Sequence, residues 1–396
     1  MKELDPCNVR MVRPGVWRAR QYLRTDRSTG RAVRPSETFA AADHEDACRQ
    51  ARVWWSRQQL AAGRGGGTAL GDMAMNRINM LESLGAIDRS TARAYRGKLA
   101  LYVEPAIGRM DAGEVRVSDV NDLYVHLLES GGRRGNGLSP ATVRVVHALL
   151  RGCYQSWVTD GIVAANPAMM ATPPPMPDAK ARSLEPDELE AVANELAAVM
   201  HDGSTEPARA EQRSAATAAY LALHLGLRAG EACALRWRDI DTKGMSAYVC
   251  GSVAELGGPP LLKSKPKRKS MRHVAFGKAV AAELKSCLEW QKRLLDGVRR
   301  DTTVCCAPDG GLLRPSAASK AFGAMCACLG VQGATFHTLR HTHATIVLAQ
   351  GADVKTTAER LGHARASTTT DIYAHAMPGR DAAASEGFER YMEGIG

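Results

Sequence analysis

Two stretches that cannot continue a helix divide the chain, and they limit its fold more than any other feature. The glycine-rich run at 62–67 is too flexible for a helix, and the proline-rich run at 172–177 must be extended. A chain of 396 residues is also too long for one ordinary core. We therefore predict three domains, at residues 1–62, 69–170 and 180–396, in a multidomain fold that is mainly α with small β-sheets.

The charge of the chain indicates the kind of partner it binds. A formal net charge of +10 and a pI of about 9.2 favour an acidic polymer or surface. Charge alone does not choose between DNA, RNA and anionic lipid, and a merely basic enzyme fits it equally well. The chain has no run of about 18 apolar residues and no apolar run at its N-terminus, so we expect a cytoplasmic protein without membrane contact.

The cysteines do not indicate a metal site. All ten are scattered, and none forms a C-x-x-C pair or joins a histidine cluster. They are typical of small buried hydrophobic side chains in a reducing compartment. The sequence also has no P-loop and no cluster of carboxylates for Mg²⁺, so we predict neither a metal nor another cofactor.

The first segment has the pattern of a small α/β domain. Residues 15–24 alternate like a strand, a second strand is expected near 31–39, and Asp43 is expected to cap a helix to about Leu60. One face of the first strand is formed by Trp17, Ala19, Gln21 and Leu23. The other face is basic and is formed by Arg18, Arg20, Tyr22 and Arg24. A row of arginines on a small sheet suits a DNA groove, although a solvated strand face is the alternative. The candidate DNA contacts are Arg18, Arg20 and Arg24.

The second segment is predicted to be all-helical. Asp88 starts one helix, which extends through Tyr102, and a second helix runs over 117–128. Ser139 caps a third helix, with Pro140 at its first position. Basic residues are left for the outer faces, and an ordinary helical domain is the alternative to a DNA-binding one. The candidate DNA contacts are Arg93, Arg96 and Arg144.

The third segment combines helices with short strands. Helices are expected from about Leu184, over 215–225 and in five later stretches, and strands over 246–253 and 271–276. A strongly basic turn separates the two strands and contains no acid. A tract of this kind suits phosphate binding. Its lysines and arginines are Lys263, Lys265, Lys267, Arg268, Lys269 and Arg272.

Four groups of residues in this segment suit chemistry on a phosphodiester. Arg228 lies in Gly-Leu-Arg-Ala-Gly-Glu after an apolar helix, and His337 and Arg340 are spaced to share one helix face. His363 follows Leu-Gly, and Tyr373 comes ten positions later. Arginine forks donate paired hydrogen bonds to non-bridging oxygens, and nearby cations favour a phenolate that can attack phosphorus. Each residue also has a structural alternative: Arg228 as a helix C-cap, the histidines as packing residues, and Tyr373 as an aromatic anchor.

These motifs, with the domain plan, resemble the tyrosine recombinase (phage-type integrase) family. The resemblance implies an arm-type DNA-binding domain at 1–62, an all-α core-binding domain at 69–170 and a mixed α+β catalytic domain at 180–396. Family members carry a hairpin lysine, often five residues before Arg-x-Val, which selects Lys267, with Lys265 as the runner-up. The other lysines of the hairpin, Lys263 and Lys269, would bind phosphates.

The resemblance also assigns roles to the site residues. Arg228, Lys267, His337, Arg340 and His363 would surround the scissile phosphate, and Tyr373 would form a 3′-phosphotyrosine. His337 would assist proton transfer at the nucleophile, Lys267 would act as general acid, and His363 would bind the phosphate. Neither ATP nor a metal would be required.

The expected partners are double-stranded DNA at attachment sites, further copies in a homotetramer, and a directionality factor or a host DNA-bending protein. An apolar stripe at Phe388, Tyr391, Met392 and Ile395 would dock on a neighbouring copy or pack on its own domain. Integration or excision of a mobile element is the expected function. A type IB topoisomerase-like relaxing enzyme and a non-catalytic DNA-binding protein are the alternatives.

Overall fold

The computed structural model of the chain is mainly helical with small antiparallel sheets, as predicted. It describes residues 8–22, 24–25, 32–63, 69–132, 135–176, 182–263, 271–362 and 380–393. Two compact units are present, Met1–Ala179 and Lys180–Gly396, and their boundary follows the proline-rich run. The finer division into three domains stays a prediction. The predicted helix at 367–374 lies outside the described residues.

The first unit begins with a three-stranded antiparallel sheet. The sheet has the order β1 (Val9–Arg13), β2 (Val16–Arg20), β5 (Ser36–Ala40), and a separate ribbon pairs β3 (Arg24–Thr25) with β4 (Ala32–Val33). The second predicted strand is therefore two strands, interrupted around the proline at position 35.

The predicted alternation along β2 is confirmed. Trp17 and Ala19 are buried, whereas Arg18 and Arg20 are exposed. Helix α1 (His44–Gly63) covers the apolar face, and Asp43 caps it as predicted, since its Oδ1 accepts the backbone N–H of the third helical residue at 2.8 Å. Tryptophans from both strand and helix are the largest side chains of this small core, which comprises Val9, Trp17, Ala19, Ala41, Ala47, Cys48, Ala51, Trp54 and Trp55.

Helices make up the rest of the first unit. They are α2 (Leu70–Ser83), α3 (Arg89–Lys98), α4 (Val117–Ser130), α5 (Pro140–Thr159) and α6 (Pro167–Met170), and a five-residue π-helix, Leu99–Val103, continues α3. The predicted caps are confirmed. Oδ1 of Asp88 accepts the backbone N–H of Thr91 at 2.8 Å, and Oγ of Ser139 accepts the backbone N–H of Thr142 at 3.3 Å. Helix α2 was not predicted. These helices share one core, in which the Tyr154 hydroxyl donates to the Ala112 carbonyl at 3.1 Å.

The second unit is built around one buried helix. Its helices are α7 (Pro186–Met200), α8 (Pro207–Leu225), α9 (Ala229–Ala232), α10 (Lys278–Leu294), α11 (Pro315–Cys328), α12 (Phe336–Ala349), α13 (Val354–Leu361) and α14 (Arg380–Glu393). Helix α8 contacts α7, α11 and α12 and buries most of its length. Its many alanines have short side chains, so neighbouring helices can approach it closely on several sides.

Two small sheets flank these helices. One has the order β10 (Arg272–Ala275), β7 (Ser246–Val249), β6 (Ile240–Asp241), and the other pairs β8 (Ser252–Ala254) with β9 (Leu261–Lys263). The predicted strand at 246–253 is thus divided between two sheets. The basic turn follows β9 and precedes β10, and its residues 264–270 lie outside the described residues.

Most thiols in the described part of the chain are buried, as predicted. Burial raises the pKa of Cys153, Cys233 and Cys287 to about 12, so these thiols stay protonated. No group of three or more potential metal ligands occurs among the described residues. Within the same residues, no helix is long and apolar enough to cross a membrane.

Candidate active site

Arg228 lies in the turn between α8 and α9, and Glu231 holds it there. Gly226 ends α8 with φ +68°, a left-handed conformation that glycine adopts at low cost. Glu231 then caps α9: its Oε2 accepts the backbone N–H of Arg228 at 3.0 Å, and its Oε1 accepts Nη1 at 2.9 Å. Glu231 therefore orients this guanidinium. The guanidinium also donates to the Gly362 carbonyl at 3.5 Å rather than to carbonyls of the preceding helix.

Helix α12 carries both His337 and Arg340, as predicted. The Arg340 side chain is 5% exposed, and it donates from Nη1 to the Gly226 carbonyl at 2.7 Å and from Nη2 to the Leu361 carbonyl at 2.6 Å. These acceptors lie at the C-terminal ends of α8 and α13. The last carbonyls of a helix lack intrahelical partners and carry partial negative charge, so a buried cation suits this position.

His337 lies one turn before Arg340, and part of its side chain is open to solvent. Its pKa is lowered, first by partial burial of the ring and then by the charges of Arg340 and Arg228. His341, the next histidine on the helix, also has a lowered pKa, because of burial and then His337 and Arg340. The guanidinium groups of Arg228 and Arg340 therefore both act on the ring of His337, which favours its neutral form near pH 7.

Glu231 is the shared anion of the site. Its side chain is 8% exposed, and Arg272 meets it with Nη2–Oε2 at 3.0 Å and Nη1–Oε1 at 3.3 Å. Arg340 lies farther away, with Nη1–Oε2 at 3.9 Å. Burial would raise the pKa of Glu231, but the hydrogen bonds and charges of Arg272 and Arg228 outweigh it and hold the pKa below its ordinary value. The carboxylate thus stays ionised and fixes several cations.

Three arginines converge on the last turn of α13. Arg272 donates from Nε to the Arg360 carbonyl at 2.6 Å, while the carbonyls of the next two residues accept from Arg340 and Arg228. Gly362 has φ +68°, and a Cβ there would lie 2.8 Å from Nη1 of Arg272. The helix therefore ends against the cluster. The chain position that follows is His363.

A buried histidine, His343, links the end of α8 to Arg360 on α13. His343 donates from Nδ1 to the Leu223 carbonyl at 2.8 Å, and its Nε2 accepts Nε–H of Arg360 at 2.9 Å. Burial and then the charge of Arg360 lower its pKa to about 4. A Cβ on Gly226 would lie 2.8 Å from the Cδ2 of this ring, so the ring also packs against the end of α8.

The structure brings together three of the six predicted catalytic residues: Arg228, His337 and Arg340. The other three, Lys267, His363 and Tyr373, lie outside the described residues, as do Lys265 and Lys269. Lys263 is half-buried at the end of β9, opposite Ser252. Arg272, predicted only as a member of the phosphate-binding tract, also lies in this cluster.

The predicted DNA contacts of the first unit have different surroundings. Arg18, Arg20 and Arg93 are exposed, and so is Arg144, although its Nη1 donates to the Pro174 carbonyl at 2.8 Å. Arg24 lies in β3, and its side chain is not described.

The predicted outer-face position of Arg96 is wrong. Its Nε and Nη2 donate to Oδ1 of Asn79 at 3.0 and 2.7 Å, and the same guanidinium pairs with Glu82. Both partners lie on α2, which turns Arg96 toward its own domain. The prediction failed because α2 itself was not predicted.

Comparison with known proteins identifies similar sequences across this site. The model of the Phage integrase family matches residues 183–380, half of the chain. The ICEBs1 integrase of Bacillus subtilis (strain 168) is 26% identical over 276 residues, covering 69% of this chain and 70% of the relative. Tyrosine recombinase XerC of Xanthomonas campestris pv. campestris (strain B100) is 28% identical over 294 residues, covering 73% and 79%.

Solved structures show the same fold. The Tn1549 transposon integrase in complex with a circular intermediate DNA superposes with a TM-score of 0.66 at 16% identity, covering 81% of this chain and 99% of that one. A lambda integrase dimer bound to a core site gives a TM-score of 0.54 at 17% identity, covering 94% and 96%.

Proposed function

The chain belongs to the phage integrase family and is a site-specific recombinase, and on that premise we propose that Tyr373 cleaves DNA through a 3′-phosphotyrosine intermediate. One observation carries the proposal. The guanidinium groups of Arg228 and Arg340, from distant parts of the sequence, meet at neighbouring carbonyls of the α13 end. The proposed nucleophile follows Gly362 by eleven residues, which is a span long enough to return the phenol to the cluster.

The proposed reaction is an in-line transesterification. The Tyr373 oxygen attacks phosphorus, a P–O bond to the tyrosine forms, and the P–O bond to the 5′-oxygen breaks. Arg228 and Arg340 neutralise the non-bridging oxygens as negative charge accumulates, and His363 donates a further hydrogen bond to them. The diester energy is kept in the new linkage, so the reverse attack by a 5′-hydroxyl rejoins a strand without ATP.

Two side chains carry the protons in this scheme. His337 accepts the phenol proton, and its lowered pKa supports this role because neutral imidazole has an available lone pair near pH 7. Lys267 gives a proton to the leaving 5′-oxygen, with Lys265 as the alternative. No metal or other cofactor enters the scheme.

The DNA surface in this proposal extends over all three predicted domains. Residues 1–62 would read arm sites through Arg18, Arg20 and Arg24, residues 69–170 would use Arg93 and Arg144 on the core site, and residues 180–396 would hold the strand to be cut. The basic turn adds phosphate contacts from Lys263, Lys265 and Lys269. The similar Tn1549 and lambda integrases are both seen bound to DNA, which supports duplex DNA as the substrate. We propose that the protein acts in the cytoplasm, where its DNA substrate is located.

We propose that the active assembly is a homotetramer joined in part by the C-terminal tail. On α14 the side chains of Phe388, Tyr391 and Met392 are 65%, 68% and 52% exposed. Their exposure favours docking on a neighbouring copy over packing on the same domain. Sedimentation of the chain truncated after Gly379 on its DNA site tests this, and an unchanged tetramer would contradict it. A directionality factor or host DNA-bending protein completes the proposed set of partners.

A nicked suicide substrate tests the reaction itself. The wild-type protein should form a covalent adduct with DNA that carries its attachment site, and Tyr373→Phe should bind the same DNA without forming it. Tight binding by the wild type with no adduct would support a non-catalytic DNA-binding protein. Relaxation of plasmids without an attachment site would support a topoisomerase. Neither alternative is favoured by the relatives.

A further inference from the structure

We infer that Arg272 is a positioning residue that locks the end of α13 onto the acid that orients Arg228. The inference rests on the proposed function. It concerns a side chain that sequence analysis placed in the phosphate-binding tract. Arg272 is the last cation of that tract, yet its side chain is 7% exposed. It cannot serve as one more surface contact to the DNA backbone.

The contacts of Arg272 join two parts of the site. Its Nε–H donates to the Arg360 carbonyl at 2.6 Å, and its two terminal nitrogens meet the two oxygens of Glu231 at 3.0 and 3.3 Å. Glu231 in turn holds both the backbone and the guanidinium of Arg228. One planar fork therefore sets the distance between the turn that carries Arg228 and the last turn of α13.

The position of Arg272 in the sequence makes this link useful. β10 begins one residue after segment 264–270, which contains Lys267, and only Gly362 separates the end of α13 from His363. Gly362 is in contact distance of the guanidinium, since a Cβ there would lie 2.8 Å from Nη1 and 3.1 Å from Cζ. Arg272 thus fixes the point from which the segment with His363 and Tyr373 starts. A displacement of that point by about 1 Å can lower a reaction rate about 100-fold.

The test compares two variants of Arg272 with a matched control. Arg272→Lys keeps the charge beside Glu231 but replaces the planar fork with a single ammonium group, and Arg272→Met removes both. Arg236 supplies the control, because it is a similarly buried arginine (10% exposed) whose side chain bonds to Asp239 at 2.8 Å and to Cys250 at 3.5 Å, neither of which belongs to the cluster. The measurements are the single-turnover rate of adduct formation, the affinity for attachment-site DNA and the melting temperature.

We expect both Arg272 variants to form the adduct about 100-fold more slowly than the wild type, with nearly unchanged DNA affinity. Arg236→Met should cleave at the wild-type rate even where it melts as low as Arg272→Met. A wild-type cleavage rate in Arg272→Lys and Arg272→Met would overturn the inference. So would an equal loss of rate in Arg236→Met, because the effect would then come from stability alone.

A sulfur leaving group separates Arg272 from the general acid. In a substrate with sulfur at the bridging 5′ position, the 5′-thiolate leaves without protonation. This substrate should therefore restore cleavage to Lys267→Ala. It should not restore Arg272→Lys, whose defect lies in the geometry of Glu231 and α13. Restoration of Arg272→Lys by sulfur would contradict this. A wild-type protein that forms no Tyr373-dependent adduct would refute the proposed function instead, before any Arg272 variant is compared.

Discussion

Protonation of His343 should destabilise the second unit as the pH falls. In the folded protein its Nε2 accepts a hydrogen bond from Arg360, so a proton can bind there only if that bond breaks and two cations come into contact. Burial and the charge of Arg360 lower the pKa of His343 from 6.5 to about 4. Between these values the unfolded chain binds a proton that the folded chain does not. Stability from this group is therefore complete above pH 6.5 and is lost as the pH falls to about 4.

The size of the effect follows from the same numbers. A drop in pKa from 6.5 to about 4 corresponds to about 3 kcal/mol of unfolding free energy, lost between neutral pH and pH 4. Replacement by glutamine, in His343→Gln, removes the titrating group and keeps one donor and one acceptor. The wild type should therefore lose about 3 kcal/mol more unfolding free energy than the variant on acidification.

Hydrogen exchange of amides in α8 and α12 is a suitable assay, because it reports the opening of the second unit alone. The other titrating groups are common to both proteins and cancel in the difference between them. If wild type and His343→Gln lose the same stability between pH 7 and pH 4, the neutral, hydrogen-bonded state of His343 is not what the acid disrupts. The reasoning would then be wrong.

Four further predictions concern the site and the first segment. Glu231→Ala should lower the unfolding free energy by roughly 3–5 kcal/mol in denaturant titrations, because it leaves buried guanidinium groups uncompensated; a loss near zero would contradict its central position. Gly362→Ala, at φ +68°, should cost about 1–2 kcal/mol and slow cleavage, and a fully active, stable variant would refute the packing argument. Arg228→Ala or Arg340→Ala should abolish adduct formation while attachment-site binding persists, and near-normal cleavage would remove the catalytic role of that arginine. Deletion of 1–62 should spare core-site binding but impair integration in a two-plasmid assay, and near-normal integration would remove the arm-binding role of this segment.

The sequence predicted the helix of His337 and Arg340 well, because spacing along one helix is a local property. Convergence of Arg340 with Arg228 was expected only from the resemblance, since the contact depends on how α8, α12 and α13 pack. The inward position of Arg272 had a local signal that was overlooked. In β10 the side chain of Val274 is buried, and residues two apart on a strand share a face. The surrounding lysines made the whole tract look like a solvated surface.

Helix α2 shows why another part of the fold was missed. A helix is recognised in a sequence by its caps and its apolar period, and here Ala69 occupies the N-cap without a capping side chain, directly after the glycine-rich run. With α2 missing, Asn79 and Glu82 could not be foreseen as partners, and Arg96 was assigned to the outer face. One absent local signal thus produced an error in a distant residue.

The arginine cluster is held by main-chain oxygens of residues 360–362, and this determines which changes the segment tolerates. A carbonyl is present whatever the side chain, so a substitution at position 360 or 361 would leave all three acceptors in place, although it would remove the Arg360 bond to His343 or the buried Leu361 side chain. A one-residue insertion within α13 is different, because it turns every later carbonyl by about 100° and advances it by about 1.5 Å. The carbonyl contacts of the arginine cluster therefore constrain the length of this segment more tightly than the identity of its side chains.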